Sequence, residues 1–532
     1  MSKNWWEERV VYQVYPRSFY DSNKDGIGDI RGIIDKIDYL SSLGVGAIWL
    51  NPVYDSPNDD MGYDIRDYEK ILKDFGNMED FDELLEKLHK RNIKLIMDLV
   101  VNHTSDEHKW FKMSSSNIKN RYSDFYLWRD KPNNWASFFV PSAFSYSDCR
   151  KEWYLHLFSE KQPDLNWENL DVRNEIYAMI NRWLDKGVDG FRMDVINLIA
   201  KAPGLPDGEG DGYVFSPEYF AMQPKLHHYL REMRQTCFAT RDCMCVGETP
   251  FTTAENAPSL VEDGKELDMI FQFDLMDMDS DGDKWHIKPF SVETFRSILS
   301  KWQKTLRWNS LFLSNHDQPR SVSRFGNISS TKYRIRSAKM LGTAIHLLRG
   351  TSFIYQGEEL GMANVPFSKI DELRDLESLN FYNNAEDKEW AFNSILKKGR
   401  DNARTPMQWN SSKHAGFSEV EPWIGVNPDY NQFNVENEEN EEFSVLNYYK
   451  KLIKLKSTNK IIIEGEFELI MEDSDSLFAY DRVLGKDKIR IICNMTDKKV
   501  IIEDKSLQNI ILDNVKDPDL NFLLPFEARV LN

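Results

Sequence analysis

Short apolar runs rich in β-branched residues alternate with longer amphipathic stretches through most of the 532-residue chain. Runs of this length predict buried strands, and their alternation with helical stretches is typical of βα units with a parallel sheet. The predicted strands lie at 10–16, 47–52, 94–100, 190–195, 243–248, 269–275, 310–317 and 352–359. Eight such strands favour an α/β fold in which they close a (β/α)8 TIM barrel.

The stretches between these runs carry helical patterns. Residues 80–92 and 173–187 lie in such stretches, and the second has apolar residues at helical spacing and ends at a glycine. The last predicted helix covers 447–460. The acidic run ENEENEE at 436–442 is expected to be a solvated loop.

Three further segments depart from the barrel pattern. The interval after strand 3 is too long for one helix, so we expect an excursion domain at about 104–172. A polar insertion over about 366–430 follows strand 8. After the last helix, runs such as FELIM, FAYDR, IRIICN, VIIED and ARVLN predict a C-terminal antiparallel β domain over 466–532. The catalytic barrel is then expected over 1–103 and 173–465.

Polar residues suited to catalysis end several of the predicted strands. Asp194 ends strand 4 and Glu248 ends strand 5, so the two carboxyl groups are expected side by side at the mouth of the barrel. Acetal cleavage needs such a pair, one as acid and one to trap the oxocarbenium-like centre. Arg192 points to the same side as Asp194 and is expected to lower the pKa of Asp194. The apolar strand before Glu248 is expected to keep Glu248 protonated.

Two more segments add to this constellation. Asn315-His316-Asp317 ends strand 7 and His103 follows strand 3, which supplies a third carboxylate and two imidazoles. Each residue alone could be a strand-end cap or part of an ion pair. Their joint occurrence in strand order favours a carboxylate-lined active site.

Composition limits the classes of binding partner and the cellular compartment that we expect for this protein. A net charge of −19 argues against nucleic acid and favours neutral or cationic ligands. The five cysteines are an odd number without disulfide spacing, and Cys243 and Cys245 are expected to be buried thiols. The start MSKNWWEERVV lacks the pattern of a signal peptide, and no apolar run reaches about 18 residues. We therefore expect a soluble, cytoplasmic protein without a membrane segment.

The motifs taken together resemble glycoside hydrolase family 13, the α-amylase family, over nearly the whole chain. They are GVGAIWLNP (44–52), DLVVNH (98–103), QPDLNWEN (162–169), GFRMDV (190–195), VGE (246–248), NHDQPR (315–320) and GTSFIYQGEELGM (350–362). The resemblance implies that Asp194 is the nucleophile, Glu248 the general acid/base and Asp317 the transition-state stabiliser. The residues that it implies contact the sugar in the −1 subsite are His103, Arg192 and His316.

Within that family the chain is similar to oligo-1,6-glucosidases, which release α-1,6-linked glucose from non-reducing ends. SPNDDMGYD (56–64), KWHIKPFS (284–291), KGRDNARTPMQW (398–409) and HAGF (414–417) carry this similarity. It implies that Asp60 and Arg404 grip O4 of the terminal sugar, which would close the pocket and make cleavage exo-acting. Tyr63 would stack under that sugar, and Phe158 would line the pocket beside it. The alternative for Asp60 and Arg404 is a structural ion pair.

The resemblance implies a retaining α-glucosidase that acts on isomaltose and short isomalto-oligosaccharides as a monomer, without an organic cofactor. Val195, directly after the nucleophile, goes with α-1,6 preference in these enzymes, whereas GETPFTTAEN (247–256) departs from their usual sequence. Alternatives remain open: an α-1,4-glucosidase (maltase), a sucrose hydrolase or isomerase, a trehalose-6-phosphate hydrolase, or a non-catalytic barrel associated with a transporter. The last would have lost catalytic carboxylates, which are present here.

The segment 21–29 places oxygen donors at alternate positions around Gly26, as calcium loops do. The bidentate glutamate of an EF-hand is missing, because the twelfth position is Gly32. The family resemblance implies one structural Ca²⁺ or Mg²⁺, and a metal-free acidic turn is the alternative. The implied ligands are Asp21, Asn23, Asp25, the carbonyl of Ile27 and Asp29.

Overall fold

The computed structural model describes residues 4–502 and 509–532. Eight parallel strands form one sheet in the order β6-β5-β4-β3-β2-β1-β8-β7. They are β1 (Val11–Val14), β2 (Ala47–Leu50), β3 (Lys94–Val100), β4 (Gly190–Asp194), β5 (Met244–Glu248), β6 (Met269–Phe271), β7 (Asn309–Leu311) and β8 (Gly350–Tyr355). The Ser310 hydroxyl on β7 donates to the Ile270 carbonyl on β6, so the two edges of the sheet meet. The predicted TIM-barrel fold is confirmed.

Side chains alternate along each strand between two layers. Ile48 and Leu95 point outward and pack in a core shared with surrounding helices. Trp49 and Ile96 point into the barrel and belong to a second core, which extends to the C-terminal sheet. The rings of Trp49 and Phe271 lie 5.5 Å apart inside. The same period of two turns these polar side chains inward at the carboxyl ends of the strands: Asp98, Arg192, Asp194 and Glu248.

Helices follow the strands around the barrel. The main ones are Ile30–Asp35, Ile37–Leu43, Met78–Lys90, Leu170–Lys186, Leu226–Met233, Val292–Thr305, Thr331–His346 and Val445–Thr458. A capping box starts Met78–Lys90, because Asn77 and Asp80 each accept a hydrogen bond from the other's backbone N–H. Leu170–Lys186 ends at Gly187, whose φ of 111° suits glycine. The three predicted helices are present.

Two sequence predictions need correction. Strands 6, 7 and 8 end earlier than predicted, because the polar ends of those runs belong to the loops that follow, where TIM-barrel sites are built. The acidic run at 436–442 is not simply a solvated loop. Its first part lies in the helix Val435–Glu439, and Glu438 is buried with its Oε2 accepting from the N–H of Leu446 at 2.9 Å.

Smaller sheets and helices complete the described residues. After β3, strands Trp128–Arg129, Phe144–Ser147 and Glu152–Leu155 form an antiparallel sheet. After β8 come the helices Leu376–Asn384, Lys388–Lys398 and Asp401–Arg404. The C-terminal antiparallel sheet contains Glu466–Ile470, Leu477–Leu484, Asp487–Asn494, Ile510–Asp513 and Ala528–Leu531. Residues 1–3, and 503–504 at the end of the VIIED run, lie outside the described residues; the domain boundaries stay predictions.

Candidate active site

A cavity opens where β4 and β5 end, at the face of a TIM barrel where active sites are built. The predicted site residues that line it are Asp60, Tyr63, His103, Phe158, Asp194, Val195, Glu248 and Asp317. Three others, Arg192, His316 and Arg404, lie behind this wall, each at most 2% exposed, and contact residues that line it.

The Arg192 guanidinium joins three carboxylates in the floor of the cavity. Its Nη1 donates to Asp194 Oδ1 at 2.6 Å and to Asp98 Oδ1 at 2.8 Å, and its Nη2 lies 2.5 Å from Glu248 Oε1. The guanidinium also lies over the Trp49 ring, 5.1 Å from its centroid. A rigid fork that binds both Asp194 and Glu248 holds the two carboxyl groups beside each other.

One positive charge does not balance three buried carboxylates. Burial raises the pKa of Asp194 well above its ordinary value, and the charges of Glu248 and Asp98 raise it further, although Arg192 opposes them. Arg192 lowers the pKa of Asp194, as predicted, but burial and the two neighbouring carboxylates outweigh this effect, so the net shift is upward. Asp194, buried beside two other carboxyl groups, therefore holds a proton more firmly than an exposed aspartate does.

Asp317 lies in an opposite electrostatic environment. Its Oδ1 accepts from Arg404 Nη2 at 2.8 Å and from Arg400 Nη1 at 3.3 Å, and its Oδ2 lies 3.0 Å from His316 Nε2. Burial opposes ionisation, but His316 and the two arginines outweigh it and hold the pKa of Asp317 well below its usual range. Asp317 therefore stays a carboxylate in the cavity wall.

The partner of Asp60 is Arg400, not Arg404. Arg400 Nη2 donates to Asp60 Oδ1 at 3.1 Å, and Arg400 Nε donates to the buried Asp375 at 2.7 Å. Arg404 instead donates through Nε to the carbonyl of His316 at 3.0 Å, besides its bond to Asp317. Both arginines reach Asp317, but of the two only Arg400 pairs with Asp60, so the structural ion pair of Asp60 with Arg404 is not formed. That Asp60 and Arg404 together grip O4 of the sugar stays a prediction.

The other polar and aromatic residues of the cavity wall lie near Asp60. Gln162, which sequence reasoning did not single out although it begins the QPDLNWEN motif, donates to Asp60 Oδ2 at 3.3 Å and lies 3.2 Å from His103 Nε2. Burial lowers the pKa of His103, so its imidazole is neutral near pH 7. Tyr63 stacks on His316, with ring centroids 5.2 Å apart, and Phe158 lies 5.2 Å from the His103 ring.

Val195 has an unusual backbone conformation. Its φ of 34° lies in the left-handed region, which a β-branched residue rarely adopts and which costs about 1–3 kcal/mol. This conformation directs the Val195 N–H to Glu248 Oε2 at 3.1 Å, while the side chain lines the cavity. The residue after Asp194 thus helps to orient Glu248.

Charged residues in the outer wall of the cavity are paired. Lys284 forms an ion pair with Glu377, and Lys398 lies 2.6 Å from Asp279, which also pairs with Arg324. Burial, together with Arg324, lowers the pKa of Lys398 to about 8. The charged side chains that line the whole cavity are the acidic Asp60, Asp194, Glu248, Asp277, Asp317 and Glu377 and the basic Lys284, Lys398 and Arg400. Acidic groups therefore predominate.

The segment 21–29 carries oxygen atoms that could ligate a cation, arranged around Gly26, whose φ is 89°. Asp21 Oδ2 accepts from the Gly26 N–H at 2.9 Å and Asp29 Oδ1 from the Gly32 N–H at 2.7 Å, and carboxylate oxygens retain lone pairs beyond such bonds. Within 4–502 and 509–532, no group of three or more His, Cys, Asp or Glu side chains could hold a metal ion. A cation here would depend also on Asn23 and the Ile27 carbonyl, and it stays a prediction.

Known proteins share this architecture over the whole chain. The family described as "Alpha amylase, catalytic domain" matches residues 13–465. The chain is 54% identical to an oligo-1,6-glucosidase from Bacillus cereus, over 100% of this chain and 99% of the relative. Isomaltulose synthase from Klebsiella sp. LX3 superposes with a TM-score of 0.96 at 41% identity, over 100% of both chains. Trehalose-6-phosphate hydrolase from Bacillus licheniformis gives 0.93 at 42%, over 99% of both. The resemblance noted in the sequence is confirmed, and the chain belongs to the α-amylase family of glycoside hydrolases.

Proposed function

We propose that the chain is an oligo-1,6-glucosidase, a retaining, exo-acting α-glucosidase that hydrolyses terminal α-1,6-linked glucose of isomaltose and short isomalto-oligosaccharides. The observation that carries this proposal is the Arg192 guanidinium, which holds Asp194 and Glu248 side by side in the floor of a carboxylate-lined cavity. The 54% identity to the oligo-1,6-glucosidase of Bacillus cereus supports the choice of substrate.

The proposed reaction is a double displacement. Asp194 attacks the anomeric carbon as Glu248 gives its proton to the departing oxygen, and Glu248 then removes a proton from the water that releases α-glucose. This reaction requires Glu248 to carry a proton and Asp194 to be ionised when substrate is bound. Asp317, held ionised by His316 and two arginines, would stabilise positive charge on the sugar ring. Retention further requires a carboxyl separation of about 5–5.5 Å.

The proposed sugar site lies between Asp60 and the catalytic pair. The ion pair of Asp60 with Arg400 supplies both an acceptor and a donor for hydroxyl groups of the terminal glucose, together with Gln162 and His103. Both groups of the ion pair are less than a tenth exposed, which supports a closed end and exo action. Tyr63 and Phe158 supply apolar surface for the ring.

Electrostatics disfavour the trehalose-6-phosphate hydrolase alternative. A sugar phosphate needs unpaired cations, but Lys284 and Lys398 in the outer wall are each paired with a carboxylate. The excess of acidic groups in the wall would repel a dianion. Val195 weighs against a sucrose isomerase, and a contact of this size is worth about 1–3 kcal/mol of discrimination.

We also propose a cytoplasmic, monomeric protein, with a structural Ca²⁺ or Mg²⁺ held by segment 21–29. Five free cysteines support a reducing compartment. Across 4–502 and 509–532, no helix has the length and apolar character needed to cross a membrane. The cation would fix the loop after β1 and take no part in the chemistry.

The test is glucose release from isomaltose, maltose, sucrose and trehalose-6-phosphate in parallel, with Asp194→Ala as the inactive control. Isomaltose is expected to exceed the others at least tenfold in kcat/KM. Maltose or sucrose in first place would keep the catalytic assignment but overturn the linkage. Release of glucose by Asp194→Ala at the rate of the unaltered protein would overturn the role of Asp194.

A further inference from the structure

Two exposed phenylalanines lie together beside the mouth of the cavity. Among the described residues, Phe215 and Phe251 are the exposed phenylalanines, at 41% and 40%. Their ring centroids are 5.7 Å apart, and both contact Phe138, at 4.9 and 6.1 Å. Phe138 in turn stacks at 4.8 Å on Phe158 in the cavity wall. Phe138, Phe215 and Phe251 form a continuous surface, which we call the aromatic ramp.

The backbone holds the exposed rings in place. Val214, next to Phe215, donates to the carbonyl of Asn134 at 2.8 Å and accepts from the N–H of Ala136 at 2.9 Å. On the other side, the carbonyl of Pro250, next to Phe251, accepts from Asn197 Nδ2 at 2.6 Å. Rings fixed by their backbone lose little freedom when a ligand binds, which favours a binding surface over an incidental exposed patch.

Phe251 carries backbone strain as well. Its φ of 63° lies in the left-handed region, which is unfavourable for a residue with a side chain. Such strain persists where the surrounding structure imposes it, often at ligand-binding positions. Here the strained residue directs a large apolar ring toward Phe138 and solvent rather than into the core.

The ramp lies on the leaving-group side of the scissile bond. Phe251 follows Pro250, which lines the cavity two residues after Glu248, and Glu248 is the group proposed to protonate the departing oxygen. Asp60 and Arg400 contact the other end of the proposed sugar site. A chain that extends from the leaving oxygen past Phe138 would therefore meet Phe215 and Phe251.

We propose that the aromatic ramp binds the second glucosyl unit on the leaving-group side, so that the protein prefers isomaltotriose and longer chains to isomaltose. The inference rests on the proposed function and extends it to chain length. Its basis is chemical: the three rings carry no charge, and a pyranose offers an apolar C–H face of similar size to an aromatic face. Isomaltose ends before this position, whereas isomaltotriose reaches it.

The test compares kcat/KM for isomaltotriose and for isomaltose in Phe215→Ala, Phe251→Ala and Phe215→Tyr. Tyr146→Ala is the control, because Tyr146 is 45% exposed and packs on Trp153 away from the cavity wall. The ratio of the two kcat/KM values is expected to fall about two- to tenfold in the alanine variants. It is expected to stay unchanged in Tyr146→Ala and in Phe215→Tyr.

Other outcomes overturn the inference in distinguishable ways. An unchanged ratio in both alanine variants contradicts it, as does an equal loss on both substrates, which would indicate a structural role. If the melting temperature is unchanged, the same equal loss, found also on an aryl α-glucoside, would place the rings at the first leaving-group unit. If the unaltered protein cleaves neither substrate, the proposed function fails. In that case calorimetry measures the Kd of each sugar for Asp194→Ala. The inference requires isomaltotriose to bind at least twofold more tightly than isomaltose.

Discussion

Substitution of Asp60 by asparagine is the sharpest test of the proposed sugar site. Asp60 uses one oxygen for Arg400 and the other for Gln162, and it lines the cavity. The change keeps the shape of the side chain but removes the charge that would accept from a glucose hydroxyl. Arg400 keeps its bonds to Asp375 and Asp317, so the fold should survive.

The expected loss follows from one charged hydrogen bond. Such a bond contributes about 1.5–3 kcal/mol. At about 1.4 kcal/mol per factor of ten, kcat/KM for isomaltose should fall about 10- to 150-fold. The melting temperature should change by only a few degrees, because Arg400 remains paired with two carboxylates.

The neighbouring residue provides a matched control. Asp59 bonds Ser159 and lies 3.2 Å from Lys161, but it does not line the cavity. Asp59→Asn should therefore keep kcat/KM within about twofold, because the change removes no group that lines the cavity. Initial rates of glucose release and a thermal melt on both variants make the comparison. The reasoning is refuted if Asp60→Asn retains full kcat/KM, or if Asp59→Asn loses as much.

Three further measurements probe other features. Retention predicts that proton NMR of early product shows α-glucose, and β-glucose would exclude Asp194 as a nucleophile in a double displacement. Burial raises the pKa of Glu438 to about 8, so its contribution to stability is full below about pH 4.5 and is lost as pH rises to 8. The melting temperature of Glu438→Gln, relative to that of the unaltered protein, should therefore rise between pH 5 and 8, and a constant difference would contradict the buried acid. If segment 21–29 binds Ca²⁺ or Mg²⁺, adding either to EDTA-treated protein at about 100 times its Kd should stabilise it by about 2.7 kcal/mol. Asp21→Asn should abolish that gain, and the absence of any shift in the unaltered protein would favour a metal-free turn.

The sequence predicted the features that depend on local patterns. Period-two alternation places Asp194 and Glu248 on the inner face of adjacent strands, so their proximity could be inferred without coordinates. The pKa of Asp194 could not be inferred in the same way. The sequence shows Arg192 two residues away, but not that Asp98 and Glu248 share the same guanidinium in a fully buried site.

The identity of the Asp60 partner required the folded chain. KGRDNARTPMQW offers two arginines four residues apart, and either is chemically suitable. Their separation is one turn of helix, and the short helix Asp401–Arg404 directs Arg404 to the His316 carbonyl while Arg400, just before it, reaches Asp60. Spacing along the chain does not predict such a choice between neighbours when the segment lies outside the regular barrel.

Because Arg400 comes late in the chain, the residues of the proposed site are synthesised well before one of their ion-pair partners. Arg400 follows Asp317 by 83 residues, and at about 5–20 residues per second a ribosome needs roughly 4–17 seconds to add them. At the start of that interval β1 to β7, Asp194, Glu248 and Asp317 have been synthesised, but β8 and the two arginines that bind Asp317 have not. A chain that ended before residue 400 would lack the ion pair with Asp60, so this end of the proposed sugar site forms only after Arg400 has been synthesised.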